Sequence, residues 1–169
     1  GIMVPTSIPI MGKVQAGNAD FGTLARYVET AEELVSPSVE RLIVPKVRNP
    51  RRTMAMEVRG NSMEKSNIFE GDYIFVELFR PDESARNGEL IVARYVRASR
   101  VQHLKESFVD VPTADEEVFL EGYTVKYYYE EPSCYRLSPH RNTYDDHNVI
   151  FASSVRVLGR VVGIYRSMP

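Results

Sequence analysis

One serine and one lysine in this sequence have surroundings that could support nucleophilic chemistry. Ser62 follows a glycine in the run Arg59–Met63, and glycine allows the backbone to approach a reacting group closely. Lys126 lies among aromatic and β-branched residues in Thr124–Tyr128, a composition typical of a strand. A serine hydroxyl needs a base at neutral pH, and burial lowers the pKa of a lysine enough for it to be one. The two residues are therefore candidates for a Ser–Lys dyad, provided that Lys126 points inward.

Both residues also have an ordinary interpretation. A serine in a Gly–Asn turn is commonly only a turn residue, and a lysine in a strand commonly faces solvent. The histidines, His103, His140 and His147, show neither metal-ligand spacing nor a triad, and we expect them in loops or on the surface. The sequence has no phosphate-binding loop, dinucleotide motif or cysteine cluster. We therefore expect no cofactor and no metal site.

The composition bounds the class of protein. With 169 residues and 43% hydrophobic residues, the chain is expected to form one domain, or one domain with a short arm. A net charge of −2 offers no basic surface for nucleic acid. No apolar run approaches the roughly 18 residues of a membrane span, so no membrane association is expected. The single cysteine, Cys134, is expected to be a small buried residue and favours a reducing, cytoplasmic location.

Short β-rich runs bounded by turn-forming residues recur from Thr53 onward. We expect strands at residues 54–59, 73–79, 90–96, 123–129, 134–137 and 155–165. The pair Asn87–Gly88 predicts a tight hairpin between the strands that flank it. This pattern predicts a mainly β, mainly antiparallel domain.

Three other segments have a different character. Gly1–Asn18 has no clear period and is expected to be a mobile arm. Thr23–Val35 has the spacing of an amphipathic helix, although an irregular strand stays open because a Ser-Pro-Ser run follows it. The polar stretch Val96–Gly122 is expected to be an extended hairpin or excursion, because Phe108–Val111 alternates and Pro112–Thr113 can turn.

Several segments, in this order along the chain, resemble the self-cleaving peptidase domains of LexA, UmuD and phage repressors. They are Gly12–Gly17, similar to the cleavage-site segment; Val58–Met63 with Ile68–Val76, similar to the nucleophile segment; Asn87–Arg94, similar to the next hairpin; Thr124–Lys126, similar to the lysine strand; Leu137–Tyr144; and Val157–Gly163, similar to the closing strand. The resemblance extends with gaps from about Ile8 to Tyr165.

The chain departs from the family between two of these segments. Members usually pass almost directly to the lysine strand, whereas Val96–Gly122 intervenes here. Lys105 within this stretch is a rival base, but it lacks the Thr-Val flank that precedes Lys126. We therefore keep Lys126, and expect the excursion to contact partners or cover the cleft rather than to take part in the chemistry.

The resemblance implies an architecture and a set of roles. It implies a LexA- and signal-peptidase-like antiparallel β domain over residues 19–169, for cleavage and dimerisation, and a cleavage-site arm over residues 1–18. Ser62 would be the nucleophile and Lys126 its base. The backbone N–H groups of Asn61 and Ser62 would bind the oxyanion, and the Ala16–Gly17 bond would be cut.

The resemblance also implies partners. They are a second copy of the chain, the filament of RecA on single-stranded DNA that forms after DNA damage, and DNA through a DNA-binding domain absent from this chain. A UmuD-like polymerase accessory protein and a non-catalytic dimerisation or sensor domain remain alternatives. UmuD-type sites usually have cysteine before the glycine, so Ala16–Gly17 favours a repressor. A signal-peptidase-like enzyme acting in trans would be expected to carry a membrane anchor.

Overall fold

The fold is given by a computed structural model, which describes residues 6–16, 40–44, 46–98, 100–103, 107–110, 119–141, 143–144 and 146–167. The expected helix at Thr23–Val35, the expected turn at Pro112–Thr113 and the rival Lys105 lie outside the described residues. Within these residues, no helix is long and apolar enough to cross a membrane.

The described residues form strands joined by turns and loops, which confirms the mainly β prediction. The strands are β1 (Thr6–Gln15), β2 (Arg41–Val44), β3 (Thr53–Arg59), β4 (Tyr73–Leu78), β5 (Glu89–Arg97), β6 (Arg100–His103), β7 (Ser107–Asp110), β8 (Phe119–Glu130), β9 (Tyr135–Ser138) and β10 (Ile150–Tyr165). Short 3-10 turns occupy Pro50–Arg52 and Glu64–Ser66. Within the predicted excursion, β6 and β7 pair antiparallel as a separate two-stranded sheet. This hairpin closes between His103 and Ser107, before the expected turn at Pro112–Thr113.

The main sheet has the order β2-β1-β3-β4-β10-β5-β8-β9 and closes on itself twice. A pair between Gln15 and Thr124 joins β1 to β8 and completes a ring of β1, β3, β4, β10, β5 and β8. A pair between β9 and the start of β10 completes a smaller ring of β5, β8, β9 and β10. The 16-residue β10 serves both rings because its register shifts let it pair in turn with β9, β5 and β4.

Two apolar clusters fill these rings. The larger cluster contains Met11, Val14, Ala16, Met54, Met56, Val58, Met63, Ile68, Ile74, Val76, Leu78, Val92, Tyr123 and Val125. The smaller contains Ile91, Ala93, Tyr95, Tyr128, Leu137, Ile150 and Ala152. Because β8 belongs to both rings, its middle is covered on both faces: Thr124, Val125 and Lys126 are all buried.

The structure differs from the sequence-based expectation at the N-terminal arm. Residues 1–18 are expected to lack regular structure, whereas Thr6–Gln15 forms β1 inside the sheet. Pro9 and Gly12 interrupt the alternation that would have marked a strand, and the pairing of β1 with β3 is parallel and remote in sequence. Because of these two features, no local sequence pattern predicts β1.

The expected hairpin at Asn87–Gly88 is wrong. β10 lies between β4 and β5, so the strands that flank the turn are not neighbours. Gly88 does adopt the positive φ of a turn, at 83°, but its N–H donates to the Tyr128 carbonyl at 2.7 Å. The turn therefore leads into β5 at the point where β5 begins to pair with β8. β10, from the C-terminal region, takes the place beside β5 that β4 would have in a hairpin.

Gly159 in β10 gives a test of this packing. A Cβ there would lie 2.2 Å from the backbone carbonyl oxygen of Glu77, in the neighbouring strand β4. We expect Gly159→Ala to lower the free energy of unfolding by about 2 to 4 kcal/mol, because the backbone of a central strand must shift. Ser154→Ala, at an exposed position of the same strand, is the control and should change it little in chemical denaturation. Equal stability of the two variants would contradict the described position of β10.

Candidate active site

Ser62 lies on a turn that is anchored in the larger core. The chain leaves β3 at Arg59 and turns at Gly60, whose φ of 86° is rarely adopted by other residues. Met63 and Ile68 follow and are buried, with 0% and 1% of their surfaces exposed. The N–H of Ile68 donates to the Met63 carbonyl at 3.2 Å. The Ser62 side chain is thus held at the end of β3 by buried neighbours.

Strand β1 delivers the Ala16 carbonyl to this turn. Val14 pairs with Val58 and Gln15 with Arg59 in parallel register, and the Ala16 N–H donates to the Arg59 carbonyl at 2.7 Å. Because the two strands run in the same direction, both end at the same level of the sheet. The Ser62 hydroxyl donates to the carbonyl oxygen of Ala16, which is itself buried.

Lys126 approaches the same carbonyl from β8. Its side chain is fully buried, and its Nζ donates to the Ala16 carbonyl oxygen. The same Nζ lies 3.3 Å from Ser62 Oγ, 3.3 Å from the Val125 carbonyl oxygen and 3.5 Å from Thr124 Oγ1. The Ala16 carbonyl therefore contacts both Ser62 and Lys126, which lie 46 and 110 residues after Ala16 in the chain.

The charge state of Lys126 follows from its burial. Desolvation lowers the pKa of Lys126 from 10.5 to about 7, and the Asp146 carboxylate opposes this by favouring the charged form. A buried amine with such a pKa is partly neutral at neutral pH, so it can accept a proton from a neighbouring hydroxyl. The arrangement can therefore activate Ser62 as a nucleophile.

The structure locates some of the other residues named from sequence. Gly17 lies outside the described residues. Among the described hydrogen bonds, those that reach the Ala16 carbonyl oxygen come from Ser62 and Lys126, so an oxyanion role for the backbone of Asn61 and Ser62 remains a prediction. His140 and His147 lie in loops, as expected, and face Asp146 at 3.7 Å rather than Ser62.

Comparison with known proteins assigns the chain to a family. The sequence pattern of a family described as Peptidase S24-like matches residues 9–111, more than half of the chain. The chain belongs to the Peptidase S24-like family. Ser62 lies within the matched residues of this Peptidase S24-like chain, whereas Lys126 lies beyond them.

This Peptidase S24-like chain is also similar to curated LexA repressors. The chain is 29% identical to the LexA repressor of Ligilactobacillus salivarius over 171 aligned residues. It is 31% identical to the LexA repressor of Lactobacillus gasseri over 164 residues and 28% identical to the LexA repressor of Bacillus subtilis over 162 residues. Each similarity covers 96% of this chain and 60% of the repressor. The chain thus spans about three fifths of the length of these relatives.

Sequence reasoning missed Asp146, an acidic residue beside this Peptidase S24-like site. The Asp146 carboxylate lies 3.7 Å from Lys65 Nζ, at the turn that follows Ser62. The hydroxyl of Ser66 donates to the Pro139 carbonyl at 2.7 Å. These two contacts join the turn that carries Ser62 to the loop between β9 and β10. Only the chain's folding brings them together, so no local motif marks them.

Asp146 allows the charge state of Lys126 to be tested. Asp146→Asn removes a negative charge that favours the ammonium form, so the Lys126 pKa should fall further below 10.5. The expected result is a downward shift of the Lys126 titration midpoint. NMR of the Lys126 side-chain amine in a Ser62→Ala background measures this shift.

Lys65→Met is the matched control for this prediction. It breaks the same Lys65–Asp146 contact but removes a positive charge, so the Lys126 pKa should stay unchanged or rise. A fall of the Lys126 pKa in both variants would mean that the contact acts through geometry and not through charge.

Proposed function

We propose that this chain is the self-cleaving domain of a LexA-like repressor, and that Ser62 and Lys126 hydrolyse its own Ala16–Gly17 bond. The observation that supports this most is the contact of the Ala16 carbonyl oxygen with both the Ser62 hydroxyl and the Lys126 amine. The segment before the bond is already paired with β3 in the same domain. Such an intramolecular arrangement supplies a high effective concentration of the bond to be cut.

In the first half of the reaction, neutral Lys126 takes the proton of the Ser62 hydroxyl. Ser62 Oγ then bonds to the Ala16 carbonyl carbon. For this attack the peptide unit turns, so that its oxygen leaves the hydroxyl and faces the N–H groups of Asn61 and Ser62, which stabilise the oxyanion. Lys126 passes its proton to the Gly17 nitrogen as the Ala16–Gly17 bond breaks, leaving Ala16 esterified to Ser62.

In the second half, a water molecule gives a proton to Lys126 and attacks the ester carbon. The Ser62 oxygen leaves and regains a proton from Lys126. The carboxylic acid formed at Ala16 then gives its proton to Lys126, which leaves a free carboxylate. The dyad needs no third residue, as in other serine–lysine variants of this chemistry. The proton balance rests on a lysine that is neutral when the reaction starts.

The wider role follows from the LexA relatives. Cleavage would break the covalent connection between the residues that precede Gly17 and the dimerising domain, and would end repression in the DNA-damage response once the two parts separate. RecA filaments on single-stranded DNA would stimulate this step by favouring the docked position of β1, which is a population shift rather than new chemistry.

Self-cleavage should follow the neutral fraction of Lys126. The rate is expected to rise with pH through about 7, where the Lys126 pKa lies, and to level off above it. Ser62→Ala and Lys126→Ala should each abolish cleavage at every pH, and Gly17→Glu should block it because a charge beside the bond is costly to bury. Mass spectrometry of the fragments should give an N-terminal piece ending at Ala16.

The controls separate lysine from histidine as the base, because histidine is the most common general base at neutral pH. His140→Gln and His147→Gln should leave the plateau rate unchanged. Ser84→Ala and Lys46→Ala, at exposed positions, are matched to the dyad variants and should cut normally. Cleavage by Lys126→Ala, or a fragment that starts elsewhere than Gly17, would refute the Ser–Lys account.

We propose in addition that the chain dimerises through the end of β10. Residues 161–165 pair with β4 on one side, and no described strand pairs with their other side. Val162, Ile164 and Tyr165 are exposed there, at 39%, 42% and 37%. The same free edge in two copies can pair antiparallel about a two-fold axis.

A lysine placed on this edge should separate the copies. Ile164→Lys is expected to give a monomer by light scattering at micromolar concentration, because two like charges would meet near the axis. Ile43→Lys, at the exposed edge strand β2, is the control and should remain dimeric. A wild-type chain that is monomeric under these conditions would count against the interface.

A further inference from the structure

The strand that precedes the proposed scissile bond is bonded to the domain along its whole length. Thr6–Pro9 pairs with β2 and Ile10–Gln15 pairs with β3. The Ile10 N–H donates to the Glu40 carbonyl at 2.7 Å. All of these partners follow Gly17 in the sequence, so cutting the Ala16–Gly17 bond removes none of these hydrogen bonds.

The side chains of β1 are equally part of the domain. Ile8, Met11, Val14 and Ala16 are at most 1% exposed. Met11, Val14 and Ala16 belong to the larger core, and Ile8 packs in a further cluster of buried residues, with Val44, Ala55 and Phe75. Release of β1 would expose these groups and leave a groove between β2 and β3, which is unfavourable for an apolar surface.

Hydrolysis adds an attraction that the intact chain lacks. It converts the Ala16 carbonyl, which now touches Lys126 Nζ and the Ser62 hydroxyl, into a carboxylate at the same place. A buried carboxylate beside an amine is stabilised when the amine is protonated. Asp146 acts on Lys126 in the same direction, whereas Lys65 faces Asp146 and offsets its charge. His140 and His147 also face Asp146 and offset its charge only when they are protonated.

We propose that the groove between β2 and β3, ending at Ser62 and Lys126, is a binding site for an extended peptide with a small C-terminal residue and a free carboxylate. Its occupant is the chain's own segment up to Ala16, which stays bound after cleavage and blocks the dyad. This inference rests on the proposed self-cleavage. Each chain would then cut once and would not cut a second chain until β1 leaves.

Retention of the product is tested on the self-cleaved full chain. After cleavage, gel filtration and native mass spectrometry should find the fragment ending at Ala16 bound to the remainder, and denaturant should separate the two. The self-cleaved protein should also fail to cut added Ser62→Ala chain. Separate elution of the fragments without denaturant, or efficient cutting of the added chain by a sample that retains its fragment, would overturn the proposal.

The carboxylate is tested by exchange. Self-cleaved protein is incubated with isotopically labelled peptides of residues 6–16 that carry either a free carboxylate or a C-terminal amide. The carboxylate form should displace the retained fragment at about tenfold lower concentration, because only it can form the charge-assisted bond with Lys126. Equal potency of the two peptides would show that Lys126 does not recognise the C-terminal carboxylate, and would overturn that element of the proposal.

A further variant separates this inference from the proposed function. If the chain does not cut itself, self-cleavage fails, and retention is then tested with a recognition sequence for an added protease inserted between residues 25 and 26. The cut chain should still elute as one species, since β1 keeps its partners. Self-cleavage followed by loss of the fragment would leave the proposed function standing and refute retention alone.

Discussion

The burial of Lys126 is the interaction on which the rest of this site depends. Moving a lysine from water to the interior lowers its pKa from 10.5 to about 7, which corresponds to a cost on the order of 4 kcal/mol at neutral pH. An unfolded chain holds this proton up to its ordinary pKa, so between about pH 7 and 10.5 the unfolded state binds more protons. The contribution of Lys126 to the free energy of unfolding therefore rises with pH across that window.

The double closure of the sheet is what makes this cost tolerable. β8 lies in both rings, so apolar residues pack on each side of it, and Val125 and Tyr128 belong to different clusters. The position of β10 is fixed from both sides by Arg160, which binds Glu89 at 2.9 Å and Glu83 at 2.8 Å and lies 3.4 Å from Glu77. Lys126 is fully buried in this frame, and an exposed amine would be charged at neutral pH and could not act as the proposed base.

In the proposed self-cleavage, the register of β1 on β3 decides which peptide bond reaches Ser62 and Lys126. Side chains alternate along a strand, so a slip by one residue would turn Val14 and Ala16 outward and expose the apolar set of β1. In the proposed self-cleavage, the pairs that position the bond would also bind its product. Selection of the substrate and retention of the product would thus be two consequences of one set of contacts.

Local pattern was sufficient for much of this protein. The short β-rich runs between turn residues predicted most strands of the main sheet, and the alternation of Phe108–Val111 indicated an extended segment where β7 lies. Gly60 and Asn61 predicted a turn before Ser62, and the order of the motifs indicated the family. These features are encoded by residues close together in sequence, because turn geometry and alternation need only near neighbours.

Contacts between distant residues decided the rest. The sequence could not tell whether Lys126 faces water or the interior, since that depends on strands from the rest of the chain that cover β8 on both faces. It gave no sign of β1, whose partner β3 lies some forty residues away, or of β10 between β4 and β5, which made the Asn87–Gly88 hairpin wrong. The effect of Asp146 on the pKa of Lys126 could not be predicted from the sequence for the same reason. Its effect on Lys126 exists only when the loop after β9 folds against the Ser62 turn, and electrostatic coupling depends on distance in space rather than in sequence.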